Sequence, residues 1–296
     1  MDKIQQLQLF VRIVEGGSFL QAAQELGIAR STATNAIKQL EQETGAQLLA
    51  RTTRAVKPTP EGEEFHRRAR AVLGDIEDTW TVFRNATPGG HLRINASGLL
   101  TRTFLVPRLP DFLRQYPDIV ITFGQTDRLV NLVREGIDCV IRVGVPEDSS
   151  LRLRRLGHLP EMTCASPAYL AAHGMPHSLD DLAGHNMIGF VSSQTGEVMP
   201  LNFIRDGRTE SRRLPARVMT DNSDTAAALA AQGLGLIQAP RYRFEEQLRR
   251  GELVEVLAAY PPGSLQVNAI YAGERRASRR LDVFLNWVSG IFAGAL

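Results

Sequence analysis

The sequence predicts a multidomain chain in three parts. Residues 1–58 form an α-helical winged helix-turn-helix domain. Residues 59–88 form a long linker helix. Residues 89–296 form an α/β domain of two Rossmann-like subdomains, the first from 89–162 and 266–296, the second from 163–265. Three observations carry this reading. Residues 18–57 hold two apolar stripes of helical period, separated by Gly27 and followed by a cation-rich hairpin pattern. A heptad-like stripe then runs to Pro88-Gly89-Gly90. From His91 onward, strand-like runs alternate with helical ones, the pattern of a parallel sheet with helices on its faces.

The opening stretch MDKIQQLQLFVRIVEGG reads as an amphipathic helix with internal charges rather than a signal peptide. Ser18 is placed to cap the next helix, on which Phe19, Ala22, Ala23 and Leu26 fall at helical spacing. Gly27 can take the left-handed conformation that a sharp turn between helices needs. Ala33, Ile37 and Leu40 restart the stripe, and the small Ala22 and Ala23 allow a close crossing. In a helix-turn-helix the second helix lies in the DNA major groove.

The outward face of that second helix carries Arg30, Ser31, Thr32, Thr34, Asn35 and Lys38. Asparagine can bond adenine twice, hydroxyls reach bases or phosphates, and threonine methyls touch thymine methyls. The alternative is a helical hairpin with a solvated face, which more often carries Glu and Lys. Leu48 and Leu49 then lead into Arg51, Thr52, Thr53, Arg54 and Lys57, a basic wing placed to grip phosphate. The candidate DNA-binding set is Ser18, Arg30, Ser31, Thr32, Thr34, Asn35, Lys38, Arg51, Thr53 and Arg54.

Thr59, Pro60 and Glu61 start the linker helix well, and Gly62 is out of place in it. Phe65, Ala69, Val72, Ile76, Thr79 and Phe83 alternate spacings of four and three, with Leu73 and Trp80 widening the stripe. A single helix between two domains has no core of its own, so Phe65, Ala69, Val72, Ile76 and Phe83 are expected to form a dimer seam. Packing against its own domain is the alternative.

Beyond it, HLRINAS, IVITFGQ and DCVIRVG read as strands, and TRTFLVPRLPDFLRQYP and TDRLVNLVREG as helices. The second unit reads as strand MTCASP, helix PAYLAAHG, strands HNMIGFVS and RLPARVMTDN, helix SDTAAALAAQG, strand GLIQAP and helix RYRFEEQLRRG. Strand LQVNAIYAG and helix SRRLDVFLNWVSGIFAG return to the first unit. Two units joined by two crossing strands leave a cleft, where ligands bind at strand ends beside helix N-termini.

Composition sets outer limits. The 296 residues are 43% hydrophobic and 22% charged, with a formal net charge of +2. A DNA-binding field must therefore be local. No apolar run is long enough for a membrane span. Cys139 and Cys164 sit in apolar strand-like runs and read as buried thiols of a reducing compartment. The histidines show no metal-ligand spacing, and no nucleophile or P-loop motif appears.

The chain resembles the LysR-type family of bacterial transcriptional regulators over essentially its whole length. The most specific stretches are LQLFVRIVEGGSFLQAAQELGIARSTATNAIKQLEQETGAQLLARTTR, ASPAYLAAHGMPHSLDDLAGH and SDTAAALAAQGLGLIQAPRYRFEEQLRRGELVEVL. The resemblance implies a dimerising linker helix, an effector domain shaped like a periplasmic binding protein, and a homotetramer built as a dimer of dimers. It implies a double-stranded DNA operator and a small-molecule effector as partners, with RNA polymerase a further partner of an activator. No cofactor, metal or catalytic residue is expected, and the location is cytoplasmic, on the nucleoid when DNA-bound.

Ala29 stands where the family usually has Ser, and Thr34-Asn35 where it usually has Ser-Arg. The first removes the usual N-cap of the recognition helix, and the second falls where bases are read and so bears on which operator is read. Carried over by position, the effector cleft is lined by Ser97, Leu99, Thr101, Gln125, Thr126, Arg142, Gly144, Phe190, Ser192 and Asn222. Hydroxyls and helix N-termini suit a carboxylate or other small anion, although Thr101 and Thr126 would also serve as caps. The rival readings are a transport-class solute-binding protein, an enzyme using the cleft, and an architectural DNA-binding protein.

Overall fold

The computed structural model describes residues 1–51, 56–84, 87–126, 131–144, 151–193, 195–272 and 278–293. Helix α1 (Lys3–Gly16) starts on a capping box, with the Asp2 carboxylate accepting from Gln5 N at 2.7 Å. Helix α2 (Phe19–Glu25) is capped by Ser18, whose Oγ accepts from Gln21 N at 3.3 Å. Gly27 turns the chain at φ +65°. Helix α3 (Arg30–Thr44) begins on Ala29 without a side-chain cap, so one of its free N–H groups lacks the usual partner. Leu9, Phe10, Ile13, Phe19, Ala22, Ala33, Ile37 and Leu40 form one core with Leu48 and Leu49.

Strands β1 (Leu49–Arg51) and β2 (Val56–Pro58) pair antiparallel, Leu49 opposite Pro58 and Arg51 opposite Val56. Helix α4 (Pro60–Arg84) follows directly. Thr59 caps it, Oγ1 accepting from Gly62 N at 3.0 Å while donating to the Gln47 carbonyl at 2.6 Å. Gly62 is not out of place. A Cβ there would stand 1.9 Å from the Leu48 carbonyl oxygen, so only glycine lets α4 dock on the wing.

The first part of the expected seam is corrected. Phe65 packs edge-on against Phe10 at 5.2 Å, and Ala69 is buried within the chain. The domain core is open on that side, and these residues close it. The apolar line that α4 shows to solvent is Val72, 46% exposed, with half-buried Ile76 and Trp80, 60% exposed. The side chain of Phe83 lies outside the described residues.

The α/β domain opens with β3 (Gly90–Ala96). The long helix expected after it is broken into α5 (Gly98–Leu100), a π turn (Thr101–Leu105), a 3-10 turn (Val106–Arg108) and α6 (Leu109–Gln115). Pro107 and Pro110 lack the N–H that a continuous helix would use. Then come β4 (Ile119–Gly124), α7 (Leu132–Glu135) and β5 (Cys139–Val143). The helix expected from TDRLVNLVREG is seen only as α7, because 127–130 lie outside the described residues.

Strand β6 (Leu151–Ala165) starts well before the expected MTCASP. Arg152, Arg154 and Arg155 hide its first half from an apolar pattern, yet that half pairs with β13 along its backbone. The second unit continues with α8 (Pro167–His173), β7 (Gly189–Phe190), a hairpin of β8 (Leu201–Arg205) and β9 (Arg208–Arg212), and β10 (Met219–Thr220). The hairpin was not anticipated, although Asp206-Gly207 signals it, both residues at positive φ. The strand expected from RLPARVMTDN is reduced to β10. Next are α9 (Ser223–Ala231), β11 (Ile237–Pro240), α10 (Glu245–Arg249) and β12 (Val254–Glu255). Finally β13 (Ser264–Ala272) and α11 (Arg279–Ala293) return to the first unit.

The strand order is β11-β6-β13-β5-β3-β4, with β12 also on β6. β3 runs parallel to β4 and β5, and β13 antiparallel to β5 and β6. β6 changes partner midway. It pairs with β13 through Pro160, then with β11 and β12 from Glu161 to Ala165. It therefore belongs to both subdomains. Leu92, Ile94, Phe112 and Ile141 pack with Phe284 and Val288 of α11 in the first, and Tyr169, Met187, Phe203 and Leu236 pack together in the second.

Candidate nucleic-acid interface and effector cleft

Buried Ala33, Ala36, Ile37 and Leu40 turn one side of α3 into the core. The same 3.6-residue period turns Arg30, Ser31, Thr32, Asn35 and Lys38 outward, all exposed, with Thr34 half-buried at the margin. Among the described residues none of the five exposed side chains is engaged by a hydrogen bond or ion pair within the chain. Several polar groups elsewhere in this unit are paired. Arg12 pairs with Glu25 at 2.5 Å, and Gln39 donates to Glu43 at 3.1 Å. Polar groups left unengaged on one face of the second helix are what groove binding requires.

Ser18 is half-buried and spends its Oγ on the α2 cap. Thr52, Thr53 and Arg54 lie outside the described residues, as does the side chain of Arg51. The strands flanking them set the wing beside α3. A residue not anticipated holds that position. Glu41, near the end of α3, accepts from the backbone N–H of Leu48 at 2.9 Å and of Leu49 at 3.1 Å. A lone glutamate on a polar helix face gives no sequence signal for this.

In the cleft, register does the assembling. Ala96 lies beside Ile141 and Asn95 beside Gly124, so the C-terminal ends of β3, β4 and β5 come level. That gathers Ser97, Gln125, Thr126, Arg142 and Gly144. A Cβ on Gly98 would stand 3.2 Å from Gln125 Oε1 and 3.4 Å from an Arg102 Nη, which shows how closely these groups converge. In the second subdomain Phe190 lies beside Thr220, bringing Phe190 and Ser192 toward Asn222. Arg102 reaches across to Asp224 at 3.4 Å, and Arg243 approaches Asp224 at 3.9 Å. Neither Arg102 nor Asp224 was among the expected residues, since they are 122 positions apart.

Three expected residues have other work. Thr101 is 1% exposed, and its hydroxyl donates back to the Ser97 carbonyl at 3.0 Å. It stabilises a turn and does not line the cleft. Gly144 spends its N–H on the Gln266 carbonyl and its own carbonyl on Asn268 Nδ2. Asn222 Oδ1 caps α9, accepting from Thr225 N at 2.9 Å. Leu99 and Phe190 are half-buried against the two cores. Ser192 Oγ accepts from Thr195 N at 3.3 Å. Ser97 is the reverse case. Its Oγ is buried with no hydrogen-bond partner, and a buried hydroxyl without one is a candidate ligand contact.

Cys139 and Cys164 are fully buried, and burial pushes both thiols up to about 12. Both thus stay neutral at pH 8, and the thiolate is the reactive form. Iodoacetamide is expected to leave both unmodified in the folded chain and to alkylate both in urea, as read by mass spectrometry. Labelling of either in the folded state would contradict this. Among the described residues no group of His, Cys, Asp and Glu could hold a metal, and no helix is long and apolar enough to cross a membrane.

Two family models match the chain. Residues 4–63 match the bacterial regulatory helix-turn-helix protein, lysR family, and residues 85–292 match the LysR substrate binding domain. An uncharacterized HTH-type transcriptional regulator of Escherichia coli, YhjC, is 34% identical, with 98% of each chain covered. An HTH-type transcriptional repressor of Pseudomonas aeruginosa is 33% identical over 99% of this chain and 93% of its own. Among solved structures, CrgA, a LysR-type transcriptional regulator from Neisseria meningitidis, superposes with a TM-score of 0.59 at 29% identity, covering 96% of this chain and 97% of its own. Full-length AphB, a Vibrio cholerae virulence activator, gives 0.58 at 26% identity, covering 98% and 100%.

Proposed function

Because the chain belongs to the LysR-type family and is a DNA-binding transcriptional regulator with an effector-binding domain, we propose that α3 reads its operator and the cleft takes a small anion. The uncommitted polar side chains on the exposed face of α3 carry the first half of this reading. Arg30 and Lys38 bracket the face with charge, and Thr34 and Asn35 lie between them. The wing adds phosphate grip through Arg51, Thr53 and Arg54. For the cleft, Ser97 offers a buried hydroxyl without a partner, Arg142 stands one residue before β5 ends at Val143, and Arg102 stands at the lip. Closing the cleft would tighten the Arg102–Asp224 contact between subdomains. The working form is a homodimer or homotetramer in the cytoplasm, joined along the apolar line of α4. RNA polymerase is the further partner if it activates.

Operator binding tests this. Asn35→Ala is expected to cost about 1–3 kcal/mol at one base position and to relax specificity there, as losing a bidentate base contact does. Competition assays with single-base operator variants read this directly. Unchanged affinity and unchanged specificity on every sequence would remove Asn35 from the groove.

A further inference from the structure

We propose that the junction between the DNA-binding unit and the effector domain holds an anion site separate from the cleft, built for a small oxyanion of the phosphate type. A cavity of about 220 Å³ lies there, walled by α1, α4, β3, the segment after α7 and the start of α11. With a water occupying about 30 Å³ of liquid, it has room for a phosphate-sized group and several waters. Four guanidinium groups line it, from Arg67, Arg70, Arg93 and Arg280, against two carboxylates, from Glu15 and Asp138.

Counted as charges, the four arginines outnumber Glu15, Asp138 and the Glu64 that Arg67 holds. Arg67 is tied to Glu64 on its own helix. Glu15 is shared between Arg70 at 3.1 Å and His66 at 3.6 Å. Asp138 turns one oxygen to the backbone N–H of Arg93 at 2.8 Å. His91 supplies no acceptor for a further cation. Its Nδ1 already accepts from Arg70, and its other nitrogen bonds Thr122 Oγ1 at 2.7 Å. Burial, then the neighbouring Arg70 and Arg93, hold the His91 pKa below the usual imidazole value, which favours its neutral form.

Arg93 is the outstanding group. Its Nε is buried and makes no hydrogen bond. Burial, then the neighbouring Arg70, pull its pKa below the usual guanidinium value. Asp138 and Glu15 offset this only in part, since the net direction is downward. A half-buried cation beside a second guanidinium gains from an anion, and its fork matches the edge of a phosphate. The Arg280 guanidinium lies directly over α4: a Cβ at Gly74 would stand 2.9 Å from one of its Nη atoms. Because the walls come from both the DNA-binding unit and the effector domain, an occupant would favour one angle between them and so bias operator binding.

The test is thermal unfolding and calorimetry of the full chain with inorganic phosphate, against chloride at matched ionic strength. Phosphate is expected to give a saturable rise in melting temperature that chloride does not. Arg93→Gln should weaken phosphate about ten- to a hundredfold, as removing a charged hydrogen-bond donor does. Without phosphate that variant should melt no lower than wild type, since a poorly compensated charge is gone. Glu15→Gln should tighten phosphate severalfold by removing a competing carboxylate. Ser97→Ala, in the cleft, should keep the phosphate response. No phosphate-specific rise would overturn the site. Loss of the response in Ser97→Ala with retention in Arg93→Gln would place the anion in the cleft and equally overturn it. An equal response to succinate would overturn the phosphate-type assignment.

Discussion

Gly62→Ala is expected to unfold the docking of the linker helix on the wing. On an isolated helix the change should help, since alanine is favoured over glycine by about 1 kcal/mol in a helix interior. Here the added methyl would meet the Leu48 carbonyl oxygen at 1.9 Å and its carbon at 2.9 Å. Leu48 cannot retreat. Its side chain is 1% exposed in the core, its N–H is held by Glu41, and its carbonyl accepts from Thr59 N at 3.0 Å. Overpacking against backbone should reach the upper end of the usual cost of about 1–3 kcal/mol and so exceed the propensity gain. Thermal unfolding of the full chain should show a lower first transition, and operator affinity should fall with it. A variant as stable as wild type would mean that α4 does not enter the wing as described.

Ile76→Glu is expected to break assembly. Val72, Ile76 and Trp80 follow at spacings of four on α4, and Val72 and Trp80 are largely exposed in the single chain. A second copy related by two-fold symmetry would bury that line and bring two glutamates together. Desolvation costs several kcal/mol per ion. At about 1.4 kcal/mol for each factor of ten, two such charges should weaken the dimer more than a thousandfold. Analytical ultracentrifugation should show a smaller species. Operator affinity should drop by about a hundred- to ten-thousandfold as the second half-site contact loses its tether. Sedimentation identical to wild type would assign the stripe to some other surface.

Much of the DNA-binding unit was legible in the sequence because its signals are local. The Ser18 cap, the Gly27 turn, and the buried Ala33 and Ile37 against the exposed Arg30, Asn35 and Lys38 all follow from periods and caps within a few residues. The parallel strands β3, β4 and β5 were legible for the same reason. The start of β6 was not, because its arginines mask a strand whose support comes from β13, more than a hundred residues later. The β8–β9 hairpin has its main local signal in Asp206-Gly207, because β9, RTESR, is polar throughout.

Side-chain pattern alone thus determined the helices of the DNA-binding unit, the strands β3, β4 and β5, and which face of α3 is polar. Tertiary structure decided how each ambiguous residue is used. Phe65 and Ala69 fit a dimer seam and a domain core equally well by spacing, and only the open flank beside Phe10 assigns them to the core. Thr101 could face a ligand or cap its own turn, and the π turn at Thr101–Leu105 directs its hydroxyl back to Ser97. Gly62 looked like a weak point of the helix until the Leu48 carbonyl stood beside it. The Arg102–Asp224 pair and the arginine-lined junction join residues that no local window contains. Periodicity is a property of neighbours along the chain, whereas such contacts exist only once distant segments have packed and their loop-closure entropy has been offset by burial.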